Sequence, residues 1–459
     1  MSFAVVVLAA GRGTRMRSRV PKVLHELAGR PLVGWPIAAA VEAGASRVVV
    51  VQGPDRPLDA LIAAAGEPVS GAVQEVADGT AGAVVAALPE LSGEDVVVVL
   101  PGDAPLIDAA AIRELVERHR GRAAAATVLG AVLDDPTGYG RLVRDAAGDL
   151  HKIVETKAPG DATDDELLIR EVNAGVYAFD GAQLPAALEQ VGSENAQGER
   201  YLPDVLELLR AAGGAIGAVT AADPAVILGV NDRWQLAQVG ALAQERLLRE
   251  HALAGVTFLD PSSVLVDVDV TIGEDTVVEP GVQLRAGTTV GRDCRIGQGT
   301  VAIGSDIADG ATIRSSTLDG ASVGEGATVG PYGYLRPGAR LEAGAKVGTF
   351  VEIKNSVIGE GSKVPHLSYI GDADVGSGVN LGAATITANY NGKTKVKART
   401  TIGDGVKTSV DTTLVAPVTL GDRAYTAAGS VITADVPAGA LAVARARQST
   451  IDGYADRPA

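Results

Sequence analysis

The 459-residue sequence predicts two folds joined by a helix: an α/β domain with a mostly parallel sheet, then a parallel β-helix of hexapeptide repeats. Two patterns predict this. In roughly the first half, continuous runs of β-branched residues alternate with alanine-rich segments, as in α/β proteins. From about Val264 an aliphatic residue returns every six positions, a period that neither a helix nor an ordinary strand produces.

The runs AVVVLAA (4–10), SRVVVVQG (46–53) and EDVVVVLPGD (94–103) read as parallel strands buried on both faces. Segments 58–65 and 81–88 read as helices between them, and such a sheet keeps its ligand site at the carboxyl ends of its strands. DRWQLAQVGALAQERLLRE (232–250) has helical apolar spacing at Trp234, Leu236, Val239, Leu242 and Leu247. The expected division is a first domain over 1–228, a linker helix over 229–250, and a β-helix with a C-terminal tail over 251–459.

The six-residue ladder runs through Ile272, Val278, Leu284, Val290 and Ile296, and again through Val323, Val329, Leu335, Leu341, Val347 and Ile353. In a parallel β-helix each of these points into a narrow interior while Gly and Asp serve the corners. A β-sandwich would instead need alternation and turn signals every 8 to 12 residues or so. The register slips to five at Ile313 to Leu318, Ile353 to Ile358 and Ile370 to Val375. It breaks at ANYNGKTKVKARTTIG (388–403), where Lys393 takes the slot due an aliphatic residue. So narrow a core does not admit a charge, so an external loop is predicted there, a place where a ligand can be covered. The rhythm returns with Ile402, Thr408, Leu414, Leu420, Thr426 and Ile432 and stops near Pro437.

A net charge of -16 argues against nucleic acid as a partner, which would need a basic face. The single cysteine, Cys294, excludes an internal disulfide and suits a reducing cytoplasm. The opening apolar run lacks a basic leader and enters a Gly-Arg turn, so it reads as a buried strand. No apolar stretch nears the roughly 20 residues of a membrane span, and a cytoplasmic protein without membrane insertion is expected.

Two motifs in the first half carry chemistry. LAAGRGTRM (8–16) is followed by PKVLH (21–25); Gly11 and Gly13 allow a tight turn whose N–H groups face an anion, and Arg15 and Lys22 bring positive charge for phosphates. The third glycine of a dinucleotide fingerprint is absent, Met16 standing there, and the lysine and hydroxyl of a P-loop are missing. Alone, such a turn can be purely structural. In PGDAPL, Asp103 ends a strand, where a carboxylate either holds a hard cation such as Mg2+ against phosphates or caps the chain ahead of Pro105.

With Gln74, the Gly79-Thr80 pair, DDPTGYGR (134–141), VNAG (172–175), NAQGERY (195–201) and GVNDR (229–233), these motifs resemble the sugar-nucleotide pyrophosphorylases. LRPGA (335–339), VGTFVEIK (347–354), HLSYIGD (366–372) and Asn389-Tyr390 extend the resemblance over nearly the whole chain. The family resembled is the bacterial bifunctional N-acetylglucosamine-1-phosphate uridylyltransferase and glucosamine-1-phosphate N-acetyltransferase.

The resemblance implies a Rossmann-like nucleotide-diphospho-sugar transferase domain and a left-handed β-helix. It implies that Leu8, Ala9, Ala10, Gly11, Gln74, Gly79, Thr80 and Gly102 hold UTP, with Arg15 and Lys22 catalytic on its phosphates. Asp103 and Asn231 would carry Mg2+, and Gly140, Glu155 and Asn173 would face N-acetylglucosamine 1-phosphate. In the array, Arg336, Lys354, Tyr369 and Asn380 would bind glucosamine 1-phosphate and His366 would be the base. Ala383, Asn389, Tyr390, Ala428 and Arg445 would contact acetyl-CoA, and the family's hexapeptide architecture implies a homotrimer.

The residue types suit the two reactions. Uridylyl transfer has an already ionised sugar phosphate attack UTP, so the need is alignment and charge neutralisation rather than a base. Acetyl transfer to an amine does need a base. Of five histidines only His366 lies inside the array. Asn389 or a backbone N–H would polarise the thioester. The cations Lys393, Lys395, Lys397 and Arg399 form either a solvated face or a contact for coenzyme A phosphates. Val410 stands where the family has serine and Ala384 where glycine is common, both near the expected thioester; Pro101 and Thr156 are milder departures. Two other readings stay open: a nucleotidyltransferase whose β-helix only oligomerises or regulates, and a β-helix that is purely a scaffold.

Overall fold

The computed structural model describes residues 2–11, 13–91, 93–145, 148–156, 161–193 and 198–457. The chain divides into two compact units, Met1–Ala243 and Gln244–Ala459.

In the first unit the three β-branched runs become the strands Phe3–Leu8, Arg47–Gln52 and Val96–Pro101, paired in parallel with Phe3–Leu8 in the middle. Their side chains alternate between two cores, which is why every position is apolar. Val5, Val48 and Val98 pack with Ile37, Ile112 and Leu115 on one side; Val6, Val49 and Val99 pack with Val84, Leu184 and Leu206 on the other. The main path of this nine-stranded sheet is Ile216–Thr220, Ala126–Val132, Glu171–Asp180, Val96–Pro101, Phe3–Leu8, Arg47–Gln52, Val69–Val73. Two strands off the path, Arg141–Arg144 and Leu150–Val154, add antiparallel pairs. Along the path the expected mostly parallel sheet is present except that Glu171–Asp180 runs antiparallel to both neighbours. That reversal has a use, since it brings the start of this strand, with Asn173, to the edge where the parallel strands end.

The expected helices appear at Asp59–Ala65 and Thr80–Ala87. The long helix spans Arg233–Leu253 rather than starting at 229, because the Asp232 carboxylate accepts the Gln235 N–H at 2.8 Å and sets its first turn. Its first half belongs to the first unit and its second half to the other. Val239 and Leu247 are buried as the spacing requires, but Trp234 is exposed and is no part of the buried stripe.

The second unit is the β-helix. Its short strands form three parallel sheets, the three faces of a prism, which the chain visits in turn. Val278 lies over Ile296 and Leu284 over Ala302, and Val278, Leu284, Ile296, Leu335 and Ile353 are fully buried. Two further five-residue steps appear, since Val290 pairs with Ile307 and Ile307 with Val323. The ladder residue before the first is the small Ala302, which hid the step in the sequence pattern. The ladder threonines remain inside because their hydroxyls are bonded: Thr408 Oγ1 lies 2.9 Å from Thr385 Oγ1, and Thr426 Oγ1 lies 2.9 Å from Thr412 Oγ1.

The chain leaves the prism where Lys393 predicts it. Val375 pairs with Ile402 and Thr387 with Leu414, so the intervening residues stand outside the coils. They form a small hairpin in which Asn391 N–H donates to Val396 O at 3.0 Å, and Lys393 is exposed.

Candidate functional site

At the carboxyl ends of the first unit's parallel strands, four predicted residues from separate segments converge. The Lys22 ammonium pairs with Asp103 Oδ2 and also lies 3.4 Å from Asn231 Oδ1. Arg15 Nη2 donates to the same Asn231 oxygen at 2.8 Å. The backbone fixes this arrangement: Gly102 N–H donates to Leu8 O at 2.9 Å, and Val230 N–H donates to Asp103 O at 2.8 Å. A side chain at Gly102 would place its Cβ 2.7 Å from Leu8 O, so only glycine lets these two strand ends come together. Asp103 does not cap a helix; the next helix is capped by Asp108. Two hard oxygens, one carboxylate and one amide, thus converge on a single positive charge, a donor set that fits a divalent cation held mainly by phosphates. Among the described residues no cluster of three or more His, Cys, Asp or Glu could hold a metal by itself.

Gln74 is buried and donates to Asp78 Oδ1 at 2.9 Å and to Gly79 O at 3.0 Å. Gly79 has φ 108°, where a Cβ would lie 2.4 Å from Arg200 O, and the Thr80 hydroxyl accepts Leu202 N–H at 2.9 Å. Gln74, Gly79 and Thr80 therefore form one corner, and Leu8, Ala9, Ala10 and Gly11 run along the first strand's end. On the sugar side, Asn173 N–H donates to Gly140 O at 2.8 Å, and a Cβ on Gly140 would lie 3.6 Å from Glu155 Oε1, so Gly140, Glu155 and Asn173 are neighbours. Residues 195–197 of NAQGERY and Arg12 of LAAGRGTRM lie outside the described residues.

The sequence reading assigned no role to Tyr139 and Arg141, which shape this side. Burial first, and then the Asp103 carboxylate, raise the Tyr139 phenol above its ordinary range. The buried Arg141 guanidinium donates to Pro136 O at 2.7 Å and to Tyr139 O, fixing the loop that presents Gly140. Both lie in the motif DDPTGYGR, but only their burial distinguishes them.

On the prism the predicted residues fall into two groups. His366 ends the strand Lys363–His366 on the first face and is exposed at the corner with the second face. Above it the same corner continues coil by coil: Ala384 N–H donates to His366 O at 3.1 Å, Asp411 N–H to Ala383 O at 2.8 Å, and Gly429 N–H to Val410 O at 3.0 Å. Arg445 crosses over Gly429, beside the exposed Ala428. Ala384 has φ 57°, the region that makes glycine common at such a position, and Val410 is exposed. Asn380 lies on the first face, bridging Lys363 and Lys407.

The second group sits across the second face. Arg336 pairs with Glu352 at 2.9 Å and stands 5.9 Å over the Tyr334 ring. Lys354 and Tyr369 lie on successive strands of this face, and Asn389 Nδ2 is 3.5 Å from Tyr369 Oη. The chain from His366 to Asp372 crosses the whole face, on the order of 15–20 Å at about 3.3 Å per residue. The chain carries His366, Ala383, Ala428 and Arg445 along one edge of the prism, and Arg336, Lys354, Tyr369 and Asn389 across the adjoining face, where Lys354 lies level with Gly371 at the far side from His366. Of the loop cations, Arg399 is engaged by Asp374 and the carbonyls of Asn355 and Ala373, so it straps the loop to the prism, while Lys393, Lys395 and Lys397 are exposed.

Residues 5–160 match the MobA-like NTP transferase domain, and residues 269–304 match the bacterial transferase hexapeptide of six repeats. Over 99% of its length the chain is 48% identical to the bifunctional protein GlmU of Thermobifida fusca and 51% identical to that of Streptomyces griseus, covering 94% of each. It is 46% identical to the bifunctional protein GlmU of Caldanaerobacter subterraneus over 98% of the chain and 97% of that protein. The chain belongs to the bifunctional GlmU family. Its first unit is the nucleotidyltransferase of a GlmU enzyme, fitted to uridylyl transfer, and its prism is the left-handed hexapeptide β-helix fitted to acetyl transfer. As in other GlmU proteins, both activities reside in one polypeptide. Among the described residues no helix is long and apolar enough to cross a membrane.

Proposed function

We propose that the chain makes UDP-N-acetylglucosamine in two steps, acetylating glucosamine 1-phosphate from acetyl-CoA and then transferring a uridylyl group from UTP to the product with release of pyrophosphate. The convergence of Arg15, Lys22, Asp103 and Asn231 carries this reading of the first unit. Lys22 and Arg15 bind the triphosphate, and Gly140, Glu155 and Asn173 orient the attacking sugar phosphate. The Gln74, Gly79 and Thr80 corner receives the uridine. Asp103 and Asn231 would hold Mg2+, which when bound neutralises phosphate charge. No residue removes a proton, because the attacking phosphate oxygen is already ionised.

On the prism, Arg336 and Lys354 bind the sugar phosphate, with Arg336 exchanging its Glu352 partner for the dianion. His366 takes the proton of the attacking amine as the C–N bond forms, the thioester C–S bond breaks and coenzyme A leaves as the thiol. The acyl carrier lies along Ala383, Ala428 and Arg445 above His366. Because these residues and the sugar-binding group occupy different parts of one prism, the acetyl site is formed between copies in a homotrimer. The exposed, stacked rings of Tyr332 and Phe350, with exposed Leu367 on the next coil, support this, since they continue the His366 edge as an apolar strip suited to burial against a second copy. The enzyme works in the cytoplasm, where its substrates are made.

The test is one coupled assay on purified protein: pyrophosphate release dependent on UTP and N-acetylglucosamine 1-phosphate, and free thiol release dependent on acetyl-CoA and glucosamine 1-phosphate. Both signals are expected. Thiol release that ignores the amino sugar would reduce the prism to a scaffold.

A further inference from the structure

Asp372 ends the motif HLSYIGD, yet the roles above leave it unused. It sits at the corner between the second and third faces, 5% exposed, with φ 50°. Its carboxylate is fully engaged: Oδ1 accepts from Asn355 Nδ2 at 2.6 Å, and Oδ2 accepts from Asn389 Nδ2. Burial pushes this carboxyl up, but the Asn355 and Asn389 amides and the charges of Lys397 and Lys354 outweigh burial and hold it below the usual carboxylate range.

An ionised carboxylate only accepts hydrogen bonds. The Asn389 carboxamide therefore has one possible orientation, NH2 toward Asp372. Its second N–H is directed to Tyr369 Oη, 3.5 Å away. With its NH2 group turned to Asp372 and Tyr369, Asn389 favours a backbone N–H as the thioester polariser. What remains is Asn389 Oδ1, which has no donor among the described residues and is not among their sealed, unpartnered atoms.

We propose that Asp372 is a positioning residue for acetyl transfer, fixing the Asn389 carboxamide so that Oδ1 faces the sugar amine as a hydrogen-bond acceptor. This rests on the proposed placement of the sugar phosphate beside Arg336, Lys354 and Tyr369. The polarity matters chemically. An acceptor holds one amine N–H while His366 takes the other proton, leaving the lone pair aimed at the thioester. A donor in the same place would bind that lone pair and quench the nucleophile.

Steady-state acetyl transfer and uridylyl transfer, measured on the same full-length preparations, test this. In Asp372→Asn two amides face each other donor to donor unless the Asn389 group turns over. The kcat of acetyl transfer should fall about 10²-fold, the cost of misplacing a reacting group, with uridylyl turnover and the KM for acetyl-CoA within about twofold. The exchange Asp372→Asn with Asn389→Asp restores the bond between the two residues, with the new amide donating to the new carboxylate, whose other oxygen still presents an acceptor. This double variant should recover to within about tenfold of wild type. The inference is overturned if Asp372→Asn keeps the wild-type kcat, or if the folded double variant is as slow as the single one. A wild-type enzyme without acetyl transfer would instead bring down the reading of the prism, and this inference with it.

Discussion

The two candidate sites are assembled in opposite ways. In the first unit Lys22, Asp103 and Asn231, separated by 81 and 209 positions from Lys22, meet in one chain because a sheet gathers loops from all its strands at one edge. In the prism each residue is fixed to a face or a corner and mostly reaches the coils next to it. His366 and Lys354 lie toward opposite corners of one face, and in the proposed homotrimer a second copy closes the distance. The α/β sheet completes its site within one chain, whereas the proposed homotrimer shares its acetyl site between β-helices.

The comparison predicts a clean division of losses. His366→Ala should lower acetyl transfer by about 10² to 10⁴-fold, the usual worth of a general base, and leave uridylyl transfer unchanged. Asp103→Ala should do the reverse, costing about 10² to 10³-fold in uridylyl transfer. Steady-state rates of both reactions on each variant check this, and a parallel fall in both activities would break the separation. A smaller effect is expected from the loop. Replacing Lys393, Lys395 and Lys397 together by alanine should raise the KM for acetyl-CoA a few-fold, since exposed charges each contribute little and are screened by salt. If KM is unchanged at low ionic strength, these lysines form only a solvated face.

Much of this was legible in the sequence where one residue type recurs at a fixed interval. The ladder from Ile272 to Ile432 and the exit at Lys393 follow from the interior's refusal of charge. The valine runs give three central strands for the same reason. The antiparallel strand Glu171–Asp180 left no comparable trace, because EVNAGVYAFD carries no continuous β-branched run. Asp372 was equally silent. Its partners Asn355 and Asn389 come from the coils before and after it, and their common corner appears only once the slips in register are placed. In sequence Arg399 resembles its lysine neighbours, and only the fold, by placing Asp374 beside it, sets it apart.

The most direct test of the shared acetyl site is subunit mixing. Lys354→Ala and His366→Ala chains, carrying different affinity tags and assembled together, would each contribute the half-site the other lacks. The mixed oligomers isolated through both tags should regain acetyl transfer well above either parent while uridylyl transfer stays at wild-type level throughout. Mixed oligomers no more active than the parents would contradict the account and place the whole acetyl site within one chain.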